Sequence, residues 1–146
     1  MKTGQKLVEI HEYQGDGYRP LIDFETWRVA LLKYCDELRP ENMETMQRHE
    51  ETDEVFLLLR GKCLLFVGDG IDEAGEVQIY PLEPLKLFNV KKGVWHNHAL
   101  SEDAVVLIVE NRDTASANSP VTRLNSEQQK KIRQAAAEFG LLSEKG

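Results

Sequence analysis

The residues in this chain best suited to chemistry are its histidines. There are four, and three of them fall in two short segments. The first runs Met46-Gln47-Arg48-His49-Glu50-Glu51-Thr52-Asp53-Glu54-Val55-Phe56, and the second Gly93-Val94-Trp95-His96-Asn97-His98-Ala99-Leu100. In an extended strand residues two apart face the same side, so Gln47 and His49 share a face, as do His96 and His98. Imidazole and carboxylate groups converging from neighbouring strands suit Zn, Fe, Mn or Ni, which accept mixed nitrogen and oxygen donors. The same His-x-His spacing also occurs on exposed strands. Glu54 narrows the choice, because it opens the apolar run Val55 to Leu59, and alternation groups it with Phe56 and Leu58 against Val55, Leu57 and Leu59. A carboxylate on an inward face needs a cation or a hydrogen-bond donor. Glu50, Glu51 and Asp53 read as a solvated loop, Trp95 as a packing or subunit-contact residue facing away from His96, and His11 as an isolated histidine with no ligand role.

A second group surrounds Trp27 to Cys35, a strand-like run carrying Arg28, Lys33 and Tyr34. Arg28 and Tyr34 share one face and Lys33 the other. An inward Arg28 suits a substrate carboxylate through a bidentate pair, the alternative being a surface arginine at a strand end. Tyr34 offers either a phenolic donor or core lining. Lys86, Lys91 and Lys92 read as a solvated rim.

These side chains must be positioned by strands. Runs of β-branched, aromatic and aliphatic residues recur at 7–10, 26–35, 54–59, 62–67, 77–80, 85–90 and 105–110. They are separated by turn signals such as Gly15-Asp16-Gly17, Arg39-Pro40-Glu41-Asn42, Gly68-Asp69-Gly70, Glu83-Pro84 and Lys92-Gly93. Many short strands at this spacing predict an all-β sandwich or barrel rather than alternating βαβ units. Residues 54–60 and 62–67, hinged at Gly61, read as a central hairpin-like feature. The C-terminal segment differs: Ser126 is placed to cap a helix with Gln129 as its partner, Ile132, Ala135, Ala136 and Phe139 follow at helical spacing, and Gly140 stops it. Its one apolar stripe is expected to pack on the barrel or on a second subunit. Residues 111–121 read as the loop leading to it.

Composition bounds the rest. A chain of 146 residues is one domain with at most a short appendage. The formal charge of −7 disfavours phosphate backbones. That charge is concentrated: residues 41–54 hold six acids and one base, and residues 69–76 hold four acids and no base, so the remainder is slightly basic. No basic aromatic stripe, Gly-rich phosphate loop, internal repeat or helix-turn-helix is visible. The first twelve residues contain no stretch of signal-peptide length, and the longest apolar run, 104–109, is far short of the ~20 residues of a membrane span. The expectation is a cytoplasmic protein that binds neither nucleic acid nor membrane. Cys35 and Cys63 lack any ligand spacing and read as two buried, reduced thiols.

The two histidine segments resemble the motifs of the cupins, small jelly-roll barrels. The first cupin motif is Gly, five residues, His-x-His, three or four residues, Glu, six residues, Gly. His49 matches its second histidine, Glu54 its carboxylate and Gly61 its closing glycine. The second motif is Pro-x-Gly, two residues, His, three residues, Asn, matched by Gly93 and His96. Glu41, Gln47, Lys91 and Leu100 stand where the motifs have Gly, His, Pro and Asn. The resemblance implies an all-β cupin jelly-roll barrel (a double-stranded β-helix) over residues 1–124, with its motif core at 41–112 and a C-terminal α-helix and tail at 125–146. It implies a divalent metal held by His49, Glu54 and His96 with Gln47 as an optional, weaker fourth ligand. It also implies a small polar substrate such as a hydroxy acid, sugar or ureido acid. The residues themselves offer Glu54, His98, Arg28 and Tyr34 as candidate catalytic groups, with His98, on the face of His96, also placed to compensate for the weaker Gln47. The reaction expected is that of a metal-dependent lyase, isomerase or dioxygenase. The runs 54–61 and 93–98, followed by 105–110, are locally similar to ureidoglycolate lyases. A non-catalytic ligand-binding or sensor barrel with a degenerate site is the alternative that Gln47 favours. A homodimer is the expected assembly.

Overall fold

A computed structural model describes residues 7–142; the first six residues and the last four of the tail lie outside the described residues. Ten strands follow in order: β1 (Tyr18–Phe24), β2 (Trp27–Lys33), β3 (Thr45–Gln47), β4 (Glu54–Arg60), β5 (Cys63–Gly68), β6 (Gln78–Pro81), β7 (Leu87–Val90), β8 (Trp95–Leu100), β9 (Val105–Asn111) and β10 (Val121–Arg123), and then helix α1 (Ser126–Glu138). They form two antiparallel five-stranded sheets, ordered β1-β2-β9-β4-β7 and β10-β3-β8-β5-β6. The expected all-β jelly roll with a C-terminal helix is the observed architecture.

Side-chain alternation explains which faces meet. Along β4, Glu54, Phe56 and Leu58 are buried while Val55 and Leu57 are half-buried, and along β9 the buried set is Val106, Ile108 and Glu110. These inward residues join Ala30, Leu32, Cys63, Leu65 and Leu100 in a core between the sheets. β5 is buried on both faces, because Leu64 and Phe66 point outward into a second cluster with Met46, Trp95, Ala99 and Ile132. That cluster lies under α1, so the helix packs on its own barrel. Its N-cap is Asn125 rather than Ser126: the Asn125 side chain accepts from the Gln128 backbone N–H, and Gln128 reaches back to the Asn125 N–H. Asn125 takes the extended conformation a cap requires, leaving Ser126 as the first helical residue. At the other end, bonds from Leu141 N to Ala136 O and from Gly140 N to Ala137 O, with Gly140 at φ +80°, form the expected glycine stop.

Several sequence expectations are corrected. β4 and β5 do not form a hairpin; β4 pairs with β7 and β9, and β5 with β6 and β8. Gly61 is where the chain crosses from one sheet to the other. It has φ +76°, and a Cβ there would sit 2.6 Å from the Ala104 Cα, so no other residue fits without moving backbone. Residues 7–10 form no strand and are exposed. β1 and β10 were not expected, β10 falling at the end of the segment read as a loop, and the strand expected to carry both Gln47 and His49 ends at Gln47 as β3. The cysteines are both free: Cys63 is buried, but Cys35 is only half-buried, just past the end of β2. No helix among the described residues is long and apolar enough to cross a membrane.

Candidate functional site

One end of the space between the sheets stays open as a cavity of about 470 Å3. His49, Glu54, His96, His98, Gln47 and Glu110 all line it, together with Tyr18, Asn97 and an apolar wall of Leu32, Leu38 and Ile108. No lysine or arginine lines it among the described residues.

His49, Glu54 and His96 converge at its base, with one ligand atom from each lying within 4.8 Å of the others, and all three residues are buried. Glu54 begins β4 and His96 lies on β8, in the opposite sheet. His49 lies beyond the end of β3, not on it, so Gln47 and His49 are not strand neighbours of one face; Gln47 is exposed at the cavity wall. His49 is held instead by its surroundings. Its carbonyl accepts from Gly93 N at 2.8 Å, and residues 48 and 50 donate to Pro120 and Asn118 carbonyls. Its Nδ1 lies 2.8 Å from Ser119 Oγ. That hydroxyl donates to Asn118 Oδ1, whose amide N–H groups are taken by Glu51 and the Asp113 carbonyl. Ser119 Oγ therefore accepts from His49, which places the proton on Nδ1 and turns a bare Nε2 to the centre. His96 arrives at the same tautomer by a shorter route, since its Nδ1 faces the Val94 carbonyl, which can only accept, at 3.1 Å.

The two Nε2 atoms lie 3.1 and 2.9 Å from Glu54 Oε1, yet that oxygen has no partner in hydrogen-bond geometry. Lone pairs that converge without bonding one another are what a cation site requires, so the donor set fits a divalent metal. Burial by itself would raise the Glu54 carboxyl; with no cation bound, protons on the two imidazoles beside it outweigh that and hold it low, and a metal ion would supply the same positive charge in their place. For His96, burial pushes the pKa down and the Glu54 carboxylate more than reverses it. His98 shares the inward face with His96 but stands outside the three-residue group. Its ring meets Phe56 edge-on at 6.0 Å, its Nδ1 is unpartnered, and burial pushes its pKa down to about 4.

The remaining expectations divide. Arg28 does not enter the cavity: it is bound to Asp23 through contacts of 2.7 and 3.0 Å and lines a separate surface depression. It approaches the site only by standing beside the Tyr18 hydroxyl. Tyr34 falls outside β2 and accepts from Arg39 Nε at 2.7 Å, away from the cavity. Trp95 points outward, its indole N–H bonded to the Gly70 carbonyl and its ring covered by Arg48. His11 is exposed beside Glu9. Asp53 is no free loop acid, since it accepts from the Lys92 backbone, Asn89 and Lys91.

Two cavity residues escaped the sequence reading. Glu110 is buried, with Oε1 3.5 Å from His49 Nε2, while its Oε2 accepts from the Tyr18 hydroxyl at 2.6 Å. Burial and the nearby Glu54 charge raise the Glu110 carboxyl, and burial with Glu110 beside it raises Tyr18. The signal for Glu110 was present in the inward phase of Val106 and Ile108, which it continues. Nothing local marked Tyr18, 92 residues earlier in the chain.

No family model and no curated protein sequence matches this chain. In structure it is similar to WlaRA, a TDP-fucose-3,4-ketoisomerase from Campylobacter jejuni, with 19% identity over 66% of this chain and 67% of that one and a TM-score of 0.50. It is also similar to KdgF from Halomonas sp., with 17% identity over 70% of this chain and 89% of that one and a TM-score of 0.50. A third likeness is to CapF, a capsular polysaccharide assembling protein from Staphylococcus aureus, with 17% identity, 84% and 34% coverage and a TM-score of 0.54; this chain spans about a third of that protein's length. These likenesses, with the two facing sheets, show the fold alone: the chain adopts a cupin-like jelly roll.

Proposed function

We propose that the protein binds one divalent metal, Zn, Fe, Mn or Ni, through His49, Glu54 and His96, and acts on a small polar molecule in the adjoining cavity. The observation that carries this reading is the buried Glu54 oxygen set between two imidazole nitrogens without a hydrogen bond to either. Bound there, the metal would supply Lewis acidity toward a carbonyl, carboxylate or hydroxyl oxygen of the substrate. The chain's own groups then shape what enters. Gln47, Asn97 and neutral His98 offer donors and acceptors to hydroxyl and carbonyl groups, while Leu32, Leu38 and Ile108 exclude water from one wall. With Arg28 turned away, no lysine or arginine among the described residues receives a substrate carboxylate, so an acid would depend on the metal for its anchor. A hydroxy acid, sugar or ureido acid is compatible with this lining.

Elemental analysis of untagged protein should find about one equivalent of transition metal, lost in His49→Ala and in His96→Ala. Absence of metal in the wild type, with both variants folded as before, would overturn the reading. A cytoplasmic setting suits the two unpaired thiols. A second copy of the chain suits the outward face of β2, β4 and β7, where Trp27, Leu59 and Leu87 are 44, 47 and 72% exposed; light scattering should return twice the monomer mass.

A further inference from the structure

Glu54 and Glu110 are direct cross-strand partners in the pairing of β4 with β9, and both point inward and are buried. Like charges directly opposite one another destabilise a sheet, and burial removes the water that would screen them. A compensating positive charge is therefore expected beside them; no lysine or arginine lines the cavity among the described residues, so protons on His49 and His96 or a bound cation must supply it. Arg28, the cross-strand neighbour of Glu110 on its other side, is bound to Asp23 by two hydrogen bonds.

The Glu110 carboxylate is also oriented. Tyr18 holds Oε2 at 2.6 Å, which leaves Oε1 without a partner and aims it at His49 Nε2, 3.5 Å away. That nitrogen is the bare one, because Ser119 fixes the His49 proton on Nδ1. Like Glu54 Oε1, Glu110 Oε1 is buried, unpartnered and beside an imidazole, but it stands outside the three-residue group whose ligand atoms lie within 4.8 Å of one another, so it must close on the centre when an ion binds. Gln47, which stands at the motif position for a further histidine, is exposed at the cavity wall by contrast.

We propose that Glu110 is a fourth ligand of the metal, positioned by Tyr18, so that the centre is a two-histidine, two-carboxylate site. The assignment rests on the metal reading above and adds to it. Two carboxylates balance the charge of a divalent ion, which removes the conflict between β4 and β9. The Tyr18 hydroxyl acts through Glu110, as an outer partner that fixes a ligand's orientation.

The test is equilibrium titration of the metal-stripped full chain with Mn2+ and with Zn2+, alongside melting curves of the metal-free proteins. Glu110→Gln should weaken both ions by at least ~100-fold, and Tyr18→Phe, which leaves the carboxylate in place, by ~10-fold. Metal-free Glu110→Gln should also melt above the metal-free wild type, because one of the two opposed charges is gone. A residue serving only as the acceptor for Tyr18 would give the reverse, a lower melting point. Binding by Glu110→Gln within ~3-fold of a wild type that does bind would overturn the fourth ligand and leave the three-residue site standing. A wild type that takes up neither ion would instead sink the metal reading itself. Should Glu110→Gln fail to fold, Tyr18→Phe decides: unchanged affinity would overturn the proposal.

Discussion

Ser119 shows how a single hydroxyl can decide what a histidine presents. Accepting from His49 Nδ1 and donating to Asn118, it leaves His49 only one nitrogen for the centre. Ser119→Ala should weaken metal binding by ~10-fold while the fold is retained, as measured by metal titration against circular dichroism. Equal affinity would mean that His49 needs no help in choosing its tautomer. His49, Glu54 and His96 were legible because motif spacing places them. Ser119 was not, since a serine in a Ser/Asn/Thr-rich segment looks like any loop residue until the segment is laid beside residues 48–50. Arg28 misled for the converse reason: alternation gave its face correctly, but Asp23, across the β1–β2 turn, captures the guanidinium.

Elements bring the two histidine segments together, and Asp53 ties them. Its Oδ1 accepts from the Lys92 N–H at 2.8 Å and its Oδ2 from Asn89 and Lys91 at 3.0 and 3.1 Å, clamping the loop after His49 to the turn before His96. The Lys92 backbone N–H, then Asn89 and Lys91, hold the Asp53 carboxyl at about 2, below its ordinary 3.8. A depressed pKa contributes stability that is present above the ordinary value and lost as pH falls through the depressed one. Asp53→Ala should therefore melt below the wild type at neutral pH, and the gap should close between pH 3.8 and about 2. A gap that persists at the acid end would assign the loss to packing instead. Strands β4, β5 and β9 were readable because each is an apolar run with one or both faces buried. β1 carries Pro20 and β10 is three residues long, and both are sheet edges, where half the backbone is unpaired and propensity is weak. The error at Gly61 has a different source: a glycine at positive φ serves a hairpin and a sheet crossover equally well, and only the distant partners β8 and β9 tell them apart.

For the molecule as a whole, the class was legible and the wiring was not. Punctuated short strands indicate a barrel, but strand order depends on pairings between residues far apart in sequence, such as β2 with β9. The same closure gathers two carboxylates and two imidazoles at one buried end, and this makes the fold's stability depend on what they hold. A ligand that binds only the folded state stabilises it by RT ln(1 + [L]/Kd), about 2.7 kcal/mol at a hundredfold excess over Kd. For a domain of this size that corresponds to a rise of roughly 5–11 °C in Tm. Stripping the metal with a chelator should lower Tm by that amount, and readdition should restore it. Both imidazoles must be neutral to bind, so protons compete with the metal, and the chelator-induced drop should be larger near pH 8 than near pH 6. The His49→Ala protein provides the control. It has lost a ligand, so its Tm should respond to neither chelator nor added metal at either pH. A Tm that falls equally with chelator in wild type and variant would place the metal elsewhere on the chain.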